Sequence, residues 1–273
     1  MQFVMFTKLL QDLDTAGLAD TVQGLGFDGF DLAVRPGHPV NPENVAAALP
    51  AAAREWAARG LTVGMVTTNF DFVDPTRPEV EPILAACAQI GCRRIKLGYW
   101  VYEGEQYWEG VDRIRSALAG FEKLCRKHDV CVTVHTHSGP YYGSNCAGAM
   151  HLVGDFDPRY IGVYIDPGHL AIDGEDIPMA VSMVRKHLAM VSAKSPGWFR
   201  TERDGEVNWE HRLVPIREGI VDWLEVFEAL RSVSYDGPIS LHSEYEDLSR
   251  EDLLRVTSDD LAYLKSLLPE GRS

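Results

Sequence analysis

Short apolar runs rich in β-branched residues alternate with longer amphipathic stretches along the whole chain. The runs lie at 2–6, 28–34, 62–67, 94–97, 131–135, 162–166, 189–194 and 238–242, and predict eight strands. The stretches at 43–58, 79–90, 108–127, 222–232 and 250–268 predict helices. In the fourth of these, Trp223, Val226, Phe227 and Leu230 recur at the spacing of one buried helix face. Glycines in GFDG (26–29), IGC (90–92) and YDGP (235–238) stand between a helix and the next strand, where a left-handed cap is needed. Eight βα units with no shift in composition predict an α/β fold, a single (β/α)8 TIM barrel spanning 1–273. An open doubly wound sheet is the competing architecture, and it needs no eight similar units. The longest irregular segment, 195–219, carries Trp198, Phe199, a turn at Asp204-Gly205 and Trp209. A long loop after the seventh strand of a barrel is expected to be functional.

A barrel of this kind places its active site at the C-terminal ends of the strands. Those ends carry Lys8, Arg35, Thr67-Thr68-Asn69, Lys96 with Tyr99-Trp100, His135-Thr-His137, Asp166-Pro-Gly-His169, Ser192-Ala-Lys194 and His242-Ser-Glu244. Side chains alternate along a strand, so His135, Asp166 and His242 are expected at one height, with His137 and Glu244 nearer the mouth. Nitrogen and carboxylate donors from separate strands suit a divalent ion, so His135, Asp166 and His242 form a candidate metal set. Each residue also has a plainer reading. A strand-end His is commonly a hydrogen-bonded structural group, Asp-Pro-Gly is commonly a turn, and Arg35 fits a salt bridge beside its turn. Four consecutive strands ending in His, Asp, Lys and His with Glu are harder to assign to packing, because such groups are costly to bury.

Charge narrows the function. Against 26 Lys and Arg stand 40 Asp and Glu, a net charge of −14. A phosphate backbone needs a basic face, so nucleic acid is excluded as the main partner, as is an anionic membrane surface. The five cysteines, Cys87, Cys92, Cys125, Cys131 and Cys146, form no CxxC pair, which predicts no disulfide framework and a reducing compartment. The N-terminus lacks the basic start and long apolar core of a signal peptide, and no apolar stretch reaches the length of a membrane span. A cytoplasmic location is expected.

Taken together, GFDGFDLAVRPGHPVNPENV (26–45), VTVHTHSG (132–139), GVYIDPGHL (162–170), VSAKSPGW (191–198) and GPISLHSEY (237–245) resemble the xylose isomerase-like TIM barrels. That group holds sugar phosphate isomerases and epimerases together with type-two AP endonucleases. The resemblance covers nearly the whole chain, and VPIREGIVDWLEVFEAL (214–230) fits the segment leading into its last βα unit. In metal-dependent members Glu, Asp, His and Glu at the ends of strands five to eight hold the ion. Here those positions fall on His135, Asp166, Ser192 and His242, and His169 and Lys194 match two further family positions.

The resemblance implies a carbohydrate isomerase or epimerase moving a proton next to a carbonyl, with a divalent Mn, Zn, Fe, Co or Mg ion as candidate cofactor. No nucleotide cofactor is expected. Such chemistry needs a base, an electrophile and an acid. His135, Lys194, His242 and Glu244 are the candidate catalytic groups. Lys8, Arg35, Lys96, His137 and His169 are candidates for binding substrate. Tyr99, Trp100, Tyr141, Tyr142, Trp198 and Phe199 are candidate walls for the apolar faces of a sugar. The partner expected is a small carbohydrate; homo-oligomerisation is left open. Elimination or hydrolysis of keto-sugars or keto-glycosides is the alternative reaction, and a degenerate sugar-binding barrel is the alternative without chemistry.

Overall fold

The computed structural model describes residues 1–269. Eight parallel strands close a barrel: β1 (Gln2–Phe6), β2 (Gly29–Ala33), β3 (Thr62–Thr67), β4 (Arg94–Lys96), β5 (Cys131–His135), β6 (Ile161–Ile165), β7 (Leu188–Ala193) and the last strand, β10 (Pro238–Leu241). β10 lies between β7 and β1, which closes the ring. All eight apolar runs therefore become barrel strands, with ends shifted by a residue or two. Between β7 and β10 the chain inserts an antiparallel hairpin, β8 (Ser195–Arg203) and β9 (Glu206–Val214). This is the segment expected to be irregular. Its turn is the Asp204-Gly205 pair, with φ of 54° and 80°, the left-handed pair that a two-residue hairpin requires.

The outer helices are α1 (Thr15–Gly24), α2 (Val45–Ala58), α3 (Val80–Gln89), α4 (Tyr107–His128), α5 (Cys146–Val153), α6 (Pro167–Asp173), α7 (Ile177–Val184), α8 (Trp223–Ser232) and α9 (Arg250–Ser266). Four of them, α1, α5, α6 and α7, lie outside the stretches that periodicity selected. Each is short and starts at an Asp or Asn whose side chain accepts from a backbone N–H three residues on. On α8, Trp223, Val226, Phe227 and Leu230 are all buried, as their spacing predicts.

The barrel interior is layered. Val4, Met65, Tyr164 and Met190 form a separate buried cluster of inward side chains. Two residues past Met65, Tyr164 and Met190 the inward positions turn polar, at Thr67, Asp166 and Ser192, and Asp31, Lys96, His135, Lys194 and His242 are buried polar groups as well. Period-two alternation thus sets an apolar plug beneath a polar floor. β2 reaches this layer through a register shift between Phe30 and Asp31. A side chain at the preceding Gly29 would meet the Thr62 carbonyl oxygen at 1.9 Å, so only glycine permits this approach of β2 to β3.

Candidate active site

The floor holds two linked clusters. The first centres on Asp166. Its Oδ1 accepts from the His169 backbone N–H at 3.1 Å and caps α6, with Pro167 in the first helical turn. The Asp-Pro-Gly sequence is thus a helix start. Asp166 Oδ2 lies 2.9 Å from Lys194 Nζ, 3.4 Å from His135 Nε2 and 3.8 Å from His169 Nε2. Lys194 Nζ also lies 2.8 Å from His169 Nε2, and His169 Nδ1 lies 2.8 Å from Ser138 Oγ. An ammonium only donates, so His169 Nε2 is the accepting nitrogen and Nδ1 carries the proton. Burial alone would push the Asp166 carboxyl up, but Lys194, His169 and His135 together outweigh it and hold the group well below the usual carboxylate range. Burial lowers His169 to about 2 and takes His135 well below its ordinary value, so both imidazoles are neutral.

The second cluster centres on His242. Its ring stacks on Phe6, with centroids 4.5 Å apart. Nε2 lies 2.8 Å from the Tyr164 hydroxyl and 3.6 Å from Asp31 Oδ2, and Nδ1 lies 3.5 Å from Glu244 Oε2. Glu244 Oε1 receives the Lys8 ammonium at 2.5 Å. Burial opposes charge on His242, yet Asp31 and Glu244 raise its pKa overall. Burial likewise opposes charge on Glu244, and His242 leads the groups that hold its carboxyl far below the usual range.

A cleft of about 480 Å³ opens above this floor, lined among others by Lys8, His137, His169, Lys194, Phe199 and Glu244. One wall is the β8–β9 hairpin. His137 stacks on His169 with ring centroids 3.7 Å apart, and its Nδ1 lies 2.9 Å from the Ser138 carbonyl oxygen. Nδ1 is therefore the donor, and Nε2 keeps its lone pair. Burial, with Lys194, lowers His137 to about 4, so it is a neutral base at physiological pH.

The structure separates the other expected site residues from the cleft. Trp100 is 9% exposed and belongs to the hydrophobic core, so it is no sugar wall. Tyr142 is buried, with its hydroxyl donating to Glu105. Trp198 points outward, edge-on to His211. Tyr99 and Tyr141 pack together in an aromatic group with Phe70 and His137, and the Tyr99 hydroxyl lies 2.7 Å from His135 Nδ1. Arg35 donates to the Thr68 carbonyl and has no ion pair among the described residues, so the expected salt bridge is replaced by a backbone bond. Lys96 is buried; its Nζ donates to the Leu97 carbonyl and lies 3.9 Å from the centre of the Tyr99 ring. Burial, with Arg35, lowers it to about 7.

The candidate metal set does not assemble. His135 Nε2 and Asp166 Oδ2 are buried without hydrogen-bond partners, the kind of atoms an ion would bind. The Lys194 ammonium already lies against that oxygen, and His242 Nε2 is turned toward Tyr164. Among the described residues, no three His, Cys, Asp or Glu side chains form a group able to hold a metal ion. The donor set present does not fit one, because an ion on Asp166 Oδ2 would meet a fixed positive charge at contact distance. Sequence reasoning also missed Asp31. Its partners Thr67, Tyr164 and Ser240 come from three other strands, which no local pattern reveals.

The sequence model of the xylose isomerase-like TIM barrels matches residues 19–267. An L-ribulose-5-phosphate 3-epimerase of Escherichia coli O1:K1 is 28% identical over 152 residues, covering 55% of this chain and 49% of that protein. The match thus spans about half of that relative's length. The structure of 3-keto-D-glucoside 4-epimerase from E. coli superposes with a TM-score of 0.74 at 16% identity, covering 97% of this chain and 99% of that one. A Mycobacterium smegmatis barrel protein in complex with magnesium gives 0.70 at 15% identity, covering 97% and 96%. At such identities these likenesses show the fold alone. Among the described residues no helix is long and apolar enough to cross a membrane.

Proposed function

The chain belongs to the xylose isomerase-like TIM barrels, and from that premise we propose that it is a carbohydrate isomerase or epimerase moving a proton next to a carbonyl. One observation carries this reading. The Lys194 ammonium is fixed between Asp166 and His169 at the floor of a cleft that also presents Glu244 and His137.

An ammonium has three N–H donors; one is bonded to His169 Nε2, and a second faces Asp166 across the ion pair. The third is available to a substrate carbonyl oxygen. A positive charge held there before the reaction stabilises the enediolate oxygen as it forms, with no reorganisation at that moment. Glu244, ionised and facing the cleft, removes the proton from the adjacent carbon. His137 is the second proton carrier. It stands beyond the end of β5, which β6 and β7 separate from β10 around the ring, so the two carriers approach a bound sugar from different sides. Inversion of the carbon needs a proton on the opposite face, which His137 Nε2 takes up from water and delivers while Glu244 keeps the abstracted one; return to the neighbouring carbon by Glu244, with the hydroxyl proton passing between the two oxygens, isomerises the sugar. Lys8 holds the Glu244 carboxylate in place, and Phe199 supplies an apolar wall. The substrate is a small ketose or keto-glycoside, free or phosphorylated.

The test is solvent exchange. Ketoses, keto-glycosides and their phosphates are incubated with the enzyme in D2O and followed by proton NMR. The expected result is deuterium at the carbon beside the carbonyl in both substrate and product. Turnover with release of an aglycone would indicate the elimination or hydrolysis alternative instead. Binding without exchange by any sugar would leave a non-catalytic barrel.

A further inference from the structure

Asp31 is a fully buried carboxylate beneath the cleft, and the chemistry above does not use it. The Thr67 hydroxyl donates to its Oδ1 at 2.5 Å, and Ser240 and Tyr164 donate to its Oδ2 at 2.7 and 3.3 Å. A buried charge needs a compensating charge as well as hydrogen bonds. The only cationic candidate in an ion pair with Asp31 among the described residues is His242, at 3.6 Å.

The proton positions follow from the donor inventory. Tyr164 has one hydroxyl proton, and it goes to Asp31. Its oxygen, 2.8 Å from His242 Nε2, must therefore accept, and Nε2 carries a proton. The other nitrogen, Nδ1, is buried without a hydrogen-bond partner, and the Glu244 carboxylate faces it at 3.5 Å. A proton there turns toward Glu244. The result is one line of groups, Asp31–Tyr164–His242–Glu244, running from the barrel interior to the cleft.

We infer that Asp31 is a positioning residue: acting through the Tyr164 hydroxyl, it holds the His242 imidazole as a two-sided donor and so keeps Glu244 aimed into the cleft. This rests on the reading of Glu244 as the proton carrier. The surroundings of His242 agree with a cationic ring. Phe6 stacks on one face, His135 lies with its ring centroid 6.3 Å away and is neutral, and Lys194 is the opposing positive charge. Two carboxylates, Asp31 and Glu244, outweigh that single ammonium.

Two variants test the link, Asp31→Asn and Tyr164→Phe, the second in case the first fails to fold. The first readout is the NMR titration of the His242 ring in the full-length protein without substrate. Both variants are expected to lower its titration midpoint by one pH unit or more. A midpoint unchanged in whichever variants fold overturns the link. The second readout is the split between kcat and KM at neutral pH. With a neutral ring beside it, Glu244 loses the partner that aims it, so kcat should fall about tenfold while KM stays within about twofold. A shifted His242 midpoint with an unmoved kcat overturns the connection to Glu244. If no sugar is turned over at all, the NMR result still decides the Asp31–His242 link, and it is the isomerase reading that has failed.

Discussion

Lys194 Nζ stands 2.9 Å from Asp166 Oδ2, and both side chains are buried. A buried pair of this kind is held by mutual need, because neither charge can be left alone in the interior. Asp166→Asn should therefore cost about 3–5 kcal/mol, read as a lower urea midpoint at unchanged slope. Lys194→Met alone should cost a similar amount, and the double variant should recover a large part of it. A double variant that simply sums the two losses would show that the groups do not depend on each other. Kinetically, Lys194→Met should lower kcat by about 10²–10³-fold, the usual loss when a fixed donor to a forming oxyanion is removed.

The same floor makes stability sensitive to acid. Burial holds His137 at about 4 and His169 at about 2, and takes His135 well below its ordinary value. The unfolded chain protonates these rings near pH ~6.5, and the folded protein does not. Stability is then lost as pH falls below that value. His242 works the other way: its raised pKa adds stability that is present at low pH and lost as pH rises through its folded value. Below about pH 6 His242 is charged in both states and drops out, so the three rings leave a net uptake of roughly three protons on unfolding between about pH 6 and 5, near 4 kcal/mol per pH unit. Denaturant unfolding at a series of pH values measures this slope. His169→Gln should reduce it by about 1.4 kcal/mol per unit. A flat profile would mean that these rings are not held neutral.

Gly168 gives a local probe of how closely Lys194 must be placed. A methyl group there would lie 3.0 Å from Lys194 Cγ and 3.1 Å from Asp166 Oδ1 and the Lys194 carbonyl oxygen. The lysine stem has to yield a few tenths of an ångström. Gly168→Ala should fold and keep a thermal midpoint within a few degrees, while kcat/KM drops by about 10–100-fold. Equal activity in the variant would show that the ammonium tolerates displacement.

What the sequence made legible follows from the range of each interaction. Strand runs are set by burial on both faces of a barrel wall, a local signal, so all eight appeared in the pattern. The short helix α6 was hidden because PGHLAID opens with the residues of a turn, and only the cap from Asp166 to the His169 N–H makes it a helix. The hairpin was hidden because most of its residues are exposed and polar, so no buried face gives it a period. At the site, period two brought His135, Asp166 and His242 to one floor. It did not decide which atoms face one another. That His242 turns to Tyr164, that Lys194 stands against Asp166, and that Asp31 joins from β2 all depend on contacts across the barrel. Trp100 shows the reverse error: an aromatic residue just past a strand end reads as a site wall, yet packing draws it into the core.

The hairpin offers a last test, because its two roles separate along its length. Near its base Ser195 is buried, and its hydroxyl accepts from the Val221 backbone N–H at 3.1 Å, which ties the strand to the barrel. Toward the tip, Val207 and Trp209 are 50% and 61% exposed. Between these lie Phe199, which lines the cleft, and Arg212, whose guanidinium stands 4.3 Å from the Phe199 ring centre. Replacing residues 201–208 with a two-residue Asn-Gly turn should leave the thermal midpoint nearly unchanged, since little buried surface is removed, and should leave turnover largely intact. Phe199→Ala should also fold but raise KM by about tenfold, the loss expected when an apolar contact of about 1–2 kcal/mol with the substrate is removed. With substrate identified by the exchange experiment, steady-state kinetics on the two variants decide the matter. An unchanged KM in Phe199→Ala would mean that the sugar does not reach the hairpin wall and is held by the floor alone.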